Sequence, residues 1–516
     1  MVHSNWTRPG GDTGISCQEE ETLLRLEIPA TAVDQIYYRI GSDSIDLADD
    51  LRQLVRPTDT IDERAIYSLL QFGAAIPPLS PWKPISRAVP GRITTFRDEP
   101  ARVEESEFQP EQVWDKESRP LKLDQQISIV VAALDSALLA ARDKHRLIIL
   151  FSGGVDSGLL AARAVALGLK DTLLVNYCLG PGDPESLLAE RMAKHLGLSF
   201  QRIQDIDSGM DVDDVLTHAG SDYRTPFCDH SAVPIRTLAH SVIRTFGSEF
   251  GVIDGVGADG AFGLFGRSRQ WQKVHSLPGA LLHIGSLGYR LLSSWQKDSK
   301  VEYLLSVLRR ASQHRFPLSA VAQNPLDGIA YHVPKRVAEE VESLGTSWLH
   351  SISPQSPPIQ FAALDMALVC SCIYAQNAKS LFAASALDVA YPFLSPQMVR
   401  IALSSGNWPG ADQEAKWLLK AALARHVPSE MVYRPKSGFV APMSDRFKSD
   451  AFLAAFDKLL ADQSQLSPFL EKKFLRRIRT KLTATSSLPG QTTAAVWAMV
   501  FVSEWLEQVA KRSLTA

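Results

Sequence analysis

Apolar and polar positions follow two different patterns along the chain, and the change comes near residue 125. From there on, short and almost wholly apolar runs alternate with longer segments in which apolar residues recur at helical spacing. The apolar runs are residues 146–151, 172–177, 199–203 and 251–254, and the helical segments are residues 126–144, 158–169, 184–196 and 233–246. A strand that is apolar throughout is buried on both faces, as in a parallel sheet covered by helices. The alternation predicts an α/β fold with a doubly wound, mainly parallel sheet that binds its ligand at the carboxyl ends of the strands.

The segments on either side of this pattern differ from it. Residues 20–100 are rich in turn residues and short strand candidates, which predicts a β-rich N-terminal part. Residues 97–121 are charged and interrupted by prolines, which predicts a linker. Beyond residue 264 the pattern is mainly helical, with long helical stretches at residues 359–387 and 492–512.

Composition and charge narrow the classes of function. The formal net charge is −3 and no run of like charges is present, so bulk charge does not favour a nucleic-acid partner. The first residues lack the basic and apolar pattern of a signal peptide, and the apolar run near residues 494–502 is too short to span a bilayer. The five scattered cysteines form no CxxC pair, which argues against zinc and fits reduced thiols. We expect a cytoplasmic protein with neither a nucleic-acid nor a membrane partner.

A turn of serine and glycine separates the first predicted strand of the sheet from the first predicted helix, with the sequence SGGVDS. Gly153 and Gly154 let the backbone approach an anion, and the N–H groups at a helix N-terminus form a cradle for phosphate. Ser152 and Ser157 add hydroxyl donors, and Asp156 suits a Mg²⁺ ion that bridges phosphates. The lysine of a GxxxxGK[ST] loop is missing. The simpler alternative, a turn that only caps a helix, is disfavoured by the strand before and the helix after.

This turn resembles the pyrophosphate loop of the ATP pyrophosphatases, which split ATP into AMP and pyrophosphate. Four further motifs, in the same order, narrow the resemblance to the asparagine synthetase superfamily. They resemble that family's SGEGxDELFGG, GLExRxPFLD, K-x-L-L-[KR] and R-x-K-x-G-F-x-x-P motifs, and they are DGVGADGAFG (254–263), ALDVAYPFL (386–394), KWLLK (416–420) and RPKSGFVAP (434–442).

The resemblance assigns roles to individual residues and implies ATP and Mg²⁺ as cofactors. Asp156 and Asp259 resemble the two Mg²⁺ ligands, and the SGGVDS segment resembles the pyrophosphate cradle. Gly255 and Gly257 resemble a second backbone turn near the same phosphates. Lys436 resembles the family's catalytic lysine, which would stabilise charge at the α-phosphate and later the tetrahedral oxyanion of amide formation.

The N-terminal part departs from the glutamine-dependent asparagine synthetases. Those enzymes begin with a mature N-terminal cysteine that hydrolyses glutamine, whereas this sequence begins Met-Val-His and Cys17 is internal. Residues 37–55, 65–78 and 89–91 resemble only the later half of the glutaminase domain. The resemblance therefore implies a truncated, Ntn-hydrolase-like, β-rich domain without glutaminase activity.

We accordingly expect two domains. Residues 1–115 would form the truncated, inactive glutaminase-like domain. Residues 123–516 would form the ATP pyrophosphatase and amide-forming domain, with an adenine nucleotide α hydrolase-like sheet and a helical C-terminal part. The resemblance is also compatible with a homodimer.

The position of the family's general base differs as well. Val256 stands where asparagine synthetases have Glu and where β-lactam synthetases have the Tyr of a Tyr–Glu pair, and valine cannot accept a proton. Asp388 stands at the Glu position of GLE, so it is a candidate catalytic residue, with a substrate group or water as the other candidate bases. Structural roles stay open for Asp388 at a helix end and for Arg434 in a surface ion pair.

Two relatives that dispense with glutamine, the β-lactam synthetases and the lasso-peptide macrolactam synthetases, guide the expected function. We expect an AMP- and pyrophosphate-forming carbon–nitrogen ligase that adenylates the carboxylate of a small molecule or peptide. The amine would lie on the same molecule or on a second one, as in natural-product or antibiotic biosynthesis. The first alternative is ammonia-dependent amidation of aspartate, and the second is a non-catalytic scaffold with the same fold.

Overall fold

The computed structural model describes most of the chain, and Lys436 and much of the predicted linker lie outside the described residues. The described residues are 3–4, 15–20, 23–97, 101–107, 122–143, 146–180, 182–204, 211–247, 249–292, 300–322, 325, 333–352, 357–384, 387–404, 414–434, 444–484, 488 and 490–514.

The N-terminal part is rich in β-structure, as predicted. Its strands are β1 (His3–Ser4), β2 (Ser16–Glu20), β3 (Leu23–Ile28), β4 (Tyr37–Ile40), β5 (Ile45–Ala48), β6 (Thr60–Ile61), β7 (Trp82–Lys83), β8 (Ile85–Arg87), β9 (Arg92–Arg97) and β10 (Arg102–Glu107). They form two four-stranded sheets, with the orders β1-β5-β4-β8 and β10-β9-β3-β2, and a short β6-β7 pair. Alternate residues of β3 are buried, so one face of its sheet packs on a small core and the other faces solvent.

The first part of the predicted linker contains a strand, and residues 108–121 lie outside the described residues. Residues 102–107 form β10, which pairs antiparallel with β9 instead of connecting two domains. Opposite charges face each other across this pair, as between Arg92 and Glu105 at 2.7 Å. A charged edge strand has few apolar residues because both of its faces can meet solvent, so its composition resembles that of a linker.

The N-terminal sheets pack directly on the rest of the chain. Helix α1 (Glu63–Phe72) is buried along most of its length and belongs to the largest hydrophobic core, which also contains the C-terminal helix α21 (Gly490–Ser513). The rings of Trp82 and Trp505 lie 5.3 Å apart within this core. The indole nitrogen of Trp348 donates to the carbonyl of Pro90. The N-terminal part and the C-terminal part therefore share one interior.

A five-stranded parallel sheet forms the centre of the second part and confirms the predicted α/β fold. Its strands are β11 (Arg146–Leu150), β12 (Leu173–Cys178), β13 (Ser199–Gln204), β14 (Phe250–Ile253) and β15 (Val389–Ala390). The order is β13-β12-β11-β14-β15, and every neighbouring pair is parallel. The chain moves outward from β11 to β13 and then returns to the other side of β11 with β14. This reversal leaves a crevice at the carboxyl ends of β11 and β14, where open α/β sheets bind ligands.

Helices cover both faces of this sheet and continue into the C-terminal part. Helix α4 has the bounds that the sequence predicted, Pro184–Leu196. Asp183 accepts hydrogen bonds from two N–H groups of its first turn, and Gly197 ends it in the left-handed conformation. The other helices up to residue 292 are α2 (Leu123–Arg142), α3 (Val155–Ala166), α5 (Val212–Thr217), α6 (Ala219–Asp222), α7 (Ala232–Phe246), α8 (Ala258–Phe262), α9 (Phe265–His275) and α10 (Gly279–Leu292). The later ones are α11 (Lys300–Gln313), α12 (Leu318–Val321), α13 (Lys335–Ile352), α14 (Pro357–Leu364), α15 (Ala375–Ala383), α16 (Pro396–Leu403), α17 (Trp417–Leu423), α18 (Ser429–Val432), α19 (Asp450–Leu460) and α20 (Lys472–Thr483).

Among the described residues, two helical stretches are long and apolar enough to cross a membrane by length and composition, Leu123–Arg142 and Pro357–Ala383. The apolar window of the second is 83% buried inside the protein, as in a core helix, whereas that of the first is 33% buried. Both stretches are longer than the run at residues 494–502 on which the expectation of no membrane partner was based. That expectation therefore stays a prediction.

Candidate functional site

The first glycine-rich turn lies where β11 ends and α3 begins, at the carboxyl edge of the parallel sheet. Gly153 has a φ of 70°, in the left-handed region that favours glycine. A Cβ atom at this position would lie 2.6 Å from the Cα atom of Ala189 in α4, so the turn leaves no room for a side chain. Gly154 is the N-cap residue of α3. The first N–H groups of a helix have no acceptor within it, so this turn can receive an anion.

Hydroxyl groups hold the turn from within. The buried Ser157 accepts a hydrogen bond from the backbone N–H of Ser152 at 3.3 Å, and the two Oγ atoms lie 3.2 Å apart. Ser152 Oγ in turn accepts from the N–H of Gly154 at 3.3 Å. The amide of Asn176 in β12 donates to the carbonyl of Phe151 at 2.8 Å and fixes the end of the strand. The predicted cradle residues therefore form one hydrogen-bonded turn.

The second turn follows β14 and is shaped by a buried carboxylate. Asp254 Oδ1 accepts a hydrogen bond from the backbone N–H of Val256 at 3.1 Å. Burial raises the pKa of Asp254 to about 6, although the N–H groups of Val256 and Gly255 oppose the rise. A carboxylate that accepts from the N–H two residues later makes an Asx turn, which brings the chain sharply round.

The two turns touch each other. A Cβ atom on Gly255 would lie 3.4 Å from the Cβ atom of Asp156, so the predicted second turn is next to the first. Gly257 has a φ of 106°, and a Cβ atom there would lie 2.7 Å from Cδ2 of Leu394. Glycine is therefore required at residue 257 both by backbone conformation and by close packing.

A lysine joins the two predicted Mg²⁺ ligands. The Nζ atom of Lys416 lies 2.5 Å from Oδ2 of Asp156 and 2.9 Å from Oδ1 of Asp259. Lys416 has a φ of 59°, and its backbone N–H donates to the carbonyl of Phe262 at 2.8 Å, at the start of α17. A left-handed backbone is uncommon for a residue with a side chain and often marks a functional constraint.

Lys416 is a candidate functional residue that sequence reasoning missed. The KWLLK motif was recognised, but its first lysine received no role because nothing local connects it to the two turns. Burial by itself would lower the pKa of Lys416, but the carboxylates of Asp156 and Asp259 outweigh that effect and raise it. The lysine is therefore a permanent cation at neutral pH, placed among groups that would meet phosphates.

The donor set of this cluster fits Mg²⁺. A single nitrogen lies within ion-pair distance of both Asp156 and Asp259, so their carboxylates are close enough to share one cation. Mg²⁺ prefers oxygen ligands and commonly takes one or two protein carboxylates together with phosphates. Within the described residues, no group of three or more His, Cys, Asp or Glu side chains could hold a metal by itself. Phosphate oxygens and water would suit the remaining positions around a Mg²⁺ ion bound to these two carboxylates.

Arg434 connects the turn to α4. Its guanidinium donates to both carboxylate oxygens of Glu185 at 3.0 and 3.1 Å, and to the carbonyl of Gly153 at 3.1 Å. Arg434 therefore forms an ion pair, as the structural alternative expected, and it also contacts the backbone of the predicted pyrophosphate loop. It lies two residues before Lys436, which is outside the described part of the chain.

Asp388 lies directly before the short strand β15. Asp388 is exposed, and its carbonyl accepts from the N–H of Val252 at the amino end of β15. The second turn begins at Asp254, about three residues or ~10 Å further along the sheet at the usual strand rise. Asp388 thus directly precedes β15, which runs parallel to β14, and its catalytic role stays a prediction.

A cavity of about 490 Å³ opens beside the second turn. Val256 and Asp259 contribute to its lining, and so do Asp365 and two arginines, Arg267 and Arg310. The cavity thus adjoins the predicted Mg²⁺ ligands and contains charges of both signs.

Asp365 begins a π-helical segment, Asp365–Tyr374, between α14 and α15. π-Helical segments are rare in proteins, and those that occur often lie at functional sites. Burial raises the pKa of Asp365 to about 7, Arg267 lowers it, and Asp259 raises it further. Sequence reasoning did not single out this residue, although an aspartate inside an otherwise apolar helical stretch is the available signal.

Comparison with known proteins agrees with these assignments at the level of the family. Residues 132–507 match the family model described as asparagine synthase. This range covers more than half of the chain and contains both turns, Lys416 and the cavity. No curated protein matches the chain. The chain belongs to the asparagine synthase family, whose chemistry is that of ATP-dependent ligases.

Proposed function

We propose that this chain is an AMP- and pyrophosphate-forming amide synthetase that activates a substrate carboxylate and couples it to an amine without hydrolysing glutamine. The observation that carries the proposal is the convergence of Asp156, Asp259 and Lys416 beside two glycine-rich turns. Such a cluster binds the polyphosphate of a nucleotide with its cation, and a purely structural ion pair would not need the adjoining anion cradle.

In the first step, a substrate carboxylate attacks the α-phosphate of ATP, the bond to the β-phosphate breaks, and pyrophosphate leaves. The N–H groups of residues 152–157 would bind the leaving pyrophosphate, and Lys416 would neutralise part of its charge. Asp156 and Asp259 would hold Mg²⁺, which would supply positive charge beside the phosphates. Lys416 would exchange its carboxylate partners for phosphate oxygens when the nucleotide binds.

In the second step, the amine attacks the acyl carbon of the acyl-adenylate and AMP leaves. Lys436 is proposed to stabilise both the charge at the α-phosphate and the later oxyanion. Arg434 would position this lysine, because it fixes the chain two residues earlier to Glu185 and to Gly153. Asp365 is better placed than Asp388 to hold the incoming amine, since it lines the cavity beside Val256.

The proposal excludes glutamine hydrolysis because of Cys17. This cysteine is the second residue of β2, where it pairs with Leu26 and packs against the small N-terminal core. Its backbone nitrogen is a peptide N–H and cannot act as the free amine of an N-terminal nucleophile. The truncated glutaminase-like domain at residues 1–115 is accordingly proposed to support the second domain by packing.

The cavity favours a substrate larger than aspartate. A volume of about 490 Å³ lies within the ~300–1,000 Å³ that suits a drug-sized ligand. A peptide side chain or a natural-product precursor would fill such a space better than a free amino acid. Ammonia-dependent amidation of aspartate remains the alternative function.

The experiment is ATP–pyrophosphate exchange with the full chain, Mg²⁺ and a panel of carboxylates: aspartate, glutamate, amino-dicarboxylates, and peptides that contain Asp or Glu. Lys436→Ala is expected to be inactive, and Lys420→Ala, which removes a lysine paired with Glu414 near the surface, serves as the matched control. Exchange dependent on a larger carboxylate supports the proposal.

Two other results would replace the proposal. Exchange with free aspartate, followed by asparagine formation when ammonium is added, would establish the aspartate-amidating alternative. The absence of exchange with every carboxylate, together with no ATP binding, would leave a non-catalytic scaffold.

A further inference from the structure

Helices α10 and α11 form a tight antiparallel hairpin. A Cβ atom on Gly285 would lie 2.5 Å from the Cβ atom of Leu308, and one on Gly288 would lie 3.2 Å from Cδ2 of Leu305. The two glycines pair with the two leucines in opposite order along the chain, so the helices run in opposite directions. The two helices therefore form one unit, and the residues that do not face the partner helix or the rest of the protein are exposed.

The outer side of the hairpin is unusually apolar. Leu281, Ile284 and Leu287, three residues apart on α10, are 50%, 64% and 59% exposed. Val301 and Leu304 on α11 are 58% and 55% exposed. Of the fifteen large apolar side chains that are exposed among the described residues, seven lie between residues 277 and 304. A concentration of this kind marks an interaction surface, whereas scattered exposed leucines need no explanation.

The same region is strongly basic. Residues 265–315 contain nine Lys and Arg but two Asp and Glu, a net charge of +7 in a chain whose total is −3. An apolar stripe within a positive field attracts a partner that is apolar and negatively charged.

This surface continues into the cavity of the candidate site. Tyr303 on α11 is 60% exposed and also lines the cavity. Arg310, about two turns further along the same helix, lines it as well. Arg267 from α9 lines the cavity and lies within the basic region. A chain that leaves the cavity past Tyr303 would therefore run directly onto the hairpin.

We infer that the outer face of the α10–α11 hairpin binds the part of a peptide substrate that remains outside the cavity, and that this part is acidic and apolar. The inference rests on the proposed function, because it takes the cavity to hold the reacting end of the same peptide. It adds a docking surface and the chemistry of its ligand to the proposed amide synthesis.

Charge argues against a second copy of the chain as the occupant. In a two-fold dimer this face would meet itself, so the two copies of residues 265–315, each with a formal charge of +7, would be brought together and would repel each other. An anionic bilayer would match both the charge and the leucines, but it would not explain why the surface leads into the cavity. The peptide accounts for both observations.

The test is fluorescence anisotropy of the full chain with three short labelled peptides, without ATP. One peptide combines Leu with Glu, one combines Leu with Lys, and one combines Ser with Glu. The Leu281→Ser, Ile284→Ser and Leu287→Ser triple variant removes the stripe, and Leu139→Ser with Leu187→Ser, two leucines exposed elsewhere, is the matched control. We expect the acidic apolar peptide to bind most tightly, and the triple variant to weaken it about tenfold while the control does not.

Equal binding of all three peptides, or unchanged binding to the triple variant, would overturn the inference. Binding to phosphatidylglycerol vesicles in preference to the peptide would assign the surface to a membrane instead, and a dimer that the triple variant abolishes would assign it to a second copy. ATP–pyrophosphate exchange separates this inference from the proposed function. If the triple variant binds the peptide as the native chain does and still catalyses exchange with a small carboxylate, the docking surface is wrong and the proposed function stands.

Discussion

The Nζ atom of Lys416 lies 2.5 Å from a carboxylate oxygen of Asp156, although the two residues are 260 positions apart in the chain. This ion pair is part of the nucleotide site that we propose, and it gives the first prediction. Lys416→Ala is expected to lower the rate of ATP–pyrophosphate exchange by about a hundredfold or more, as when a preorganised charge at a transition state is lost. Lys420→Ala on the next turn of α17 should leave exchange unchanged, and equal losses in both variants would contradict the assignment.

The same ion pair predicts an effect of Mg²⁺ on stability. In the native chain an added metal must compete with the ammonium of Lys416 for the carboxylates of Asp156 and Asp259. Lys416→Ala takes the ammonium away from both carboxylates, which should lower the free energy of unfolding by about 1 kcal/mol, because Asp259 is half exposed. Mg²⁺ alone should therefore raise the Tm of the variant more than that of the native chain. The prediction fails if millimolar Mg²⁺ shifts both melting temperatures equally.

The packing of the first turn predicts that alanine at Gly153 costs more unfolding free energy than alanine at Gly168. Gly153 and Gly168 have φ angles of 70° and 78°, but a Cβ atom would clash with Ala189 at the first and meet nothing within 4 Å at the second. Gly168→Ala should therefore lose about 1 kcal/mol, from backbone strain alone. Gly153→Ala should lose clearly more, since α4 must also move. Denaturant unfolding measures both, and similar losses would show that the turn is not tightly packed.

Arg434 should act on catalysis more than on stability. Arg434→Gln removes the ion pair with Glu185 and weakens the hold on Gly153, so we expect kcat to fall about tenfold through misplacement of the turn and of Lys436. Arg434→Lys should recover part of the loss. Arg425→Gln removes an exposed ion pair with Asp124 and is the control. A change in KM alone would indicate that Arg434 serves substrate binding instead.

Asp365 predicts a pH dependence of stability. Its folded pKa is about 7, whereas an unfolded aspartate titrates near ~3.9. Between these values the folded chain binds the proton more tightly, so the free energy of unfolding falls as pH rises from about 4 to about 7. Asp365→Asn should lose this contribution and become less sensitive to pH than the native chain. Asp450→Asn, at an exposed position, is the control. An unchanged slope in Asp365→Asn would disprove the assignment.

The alternation of apolar runs and helical segments was sufficient to predict the first four strands of the parallel sheet. It could not predict β15, because two residues, Val389 and Ala390, carry no periodicity and gain their strand conformation only by pairing with β14. The strand β10 was read as a linker because its residues are charged on both faces. In both cases the information lies in the partner strand and not in the local sequence.

The candidate site also contains residues that the sequence could predict and residues that it could not. The two turns were predictable because glycine, serine and aspartate next to a strand end have a local physical meaning. Lys416 and Asp365 were not, because their roles depend on contacts with residues more than a hundred positions away. The role of Asp388 stays a prediction, since a motif match gives a position in the chain but not the place of its side chain.

The contact between Trp82 and Trp505 has a consequence for the synthesis of the protein. Because the N-terminal sheets and α21 share one core, the N-terminal part cannot complete its interior until the last helix has left the ribosome. The N-terminal sheets must stay partly folded until nearly four hundred further residues, up to α21, have been synthesised. Folding of this chain should accordingly be a late and cooperative event, and shortened chains that lack α21 should be prone to aggregation.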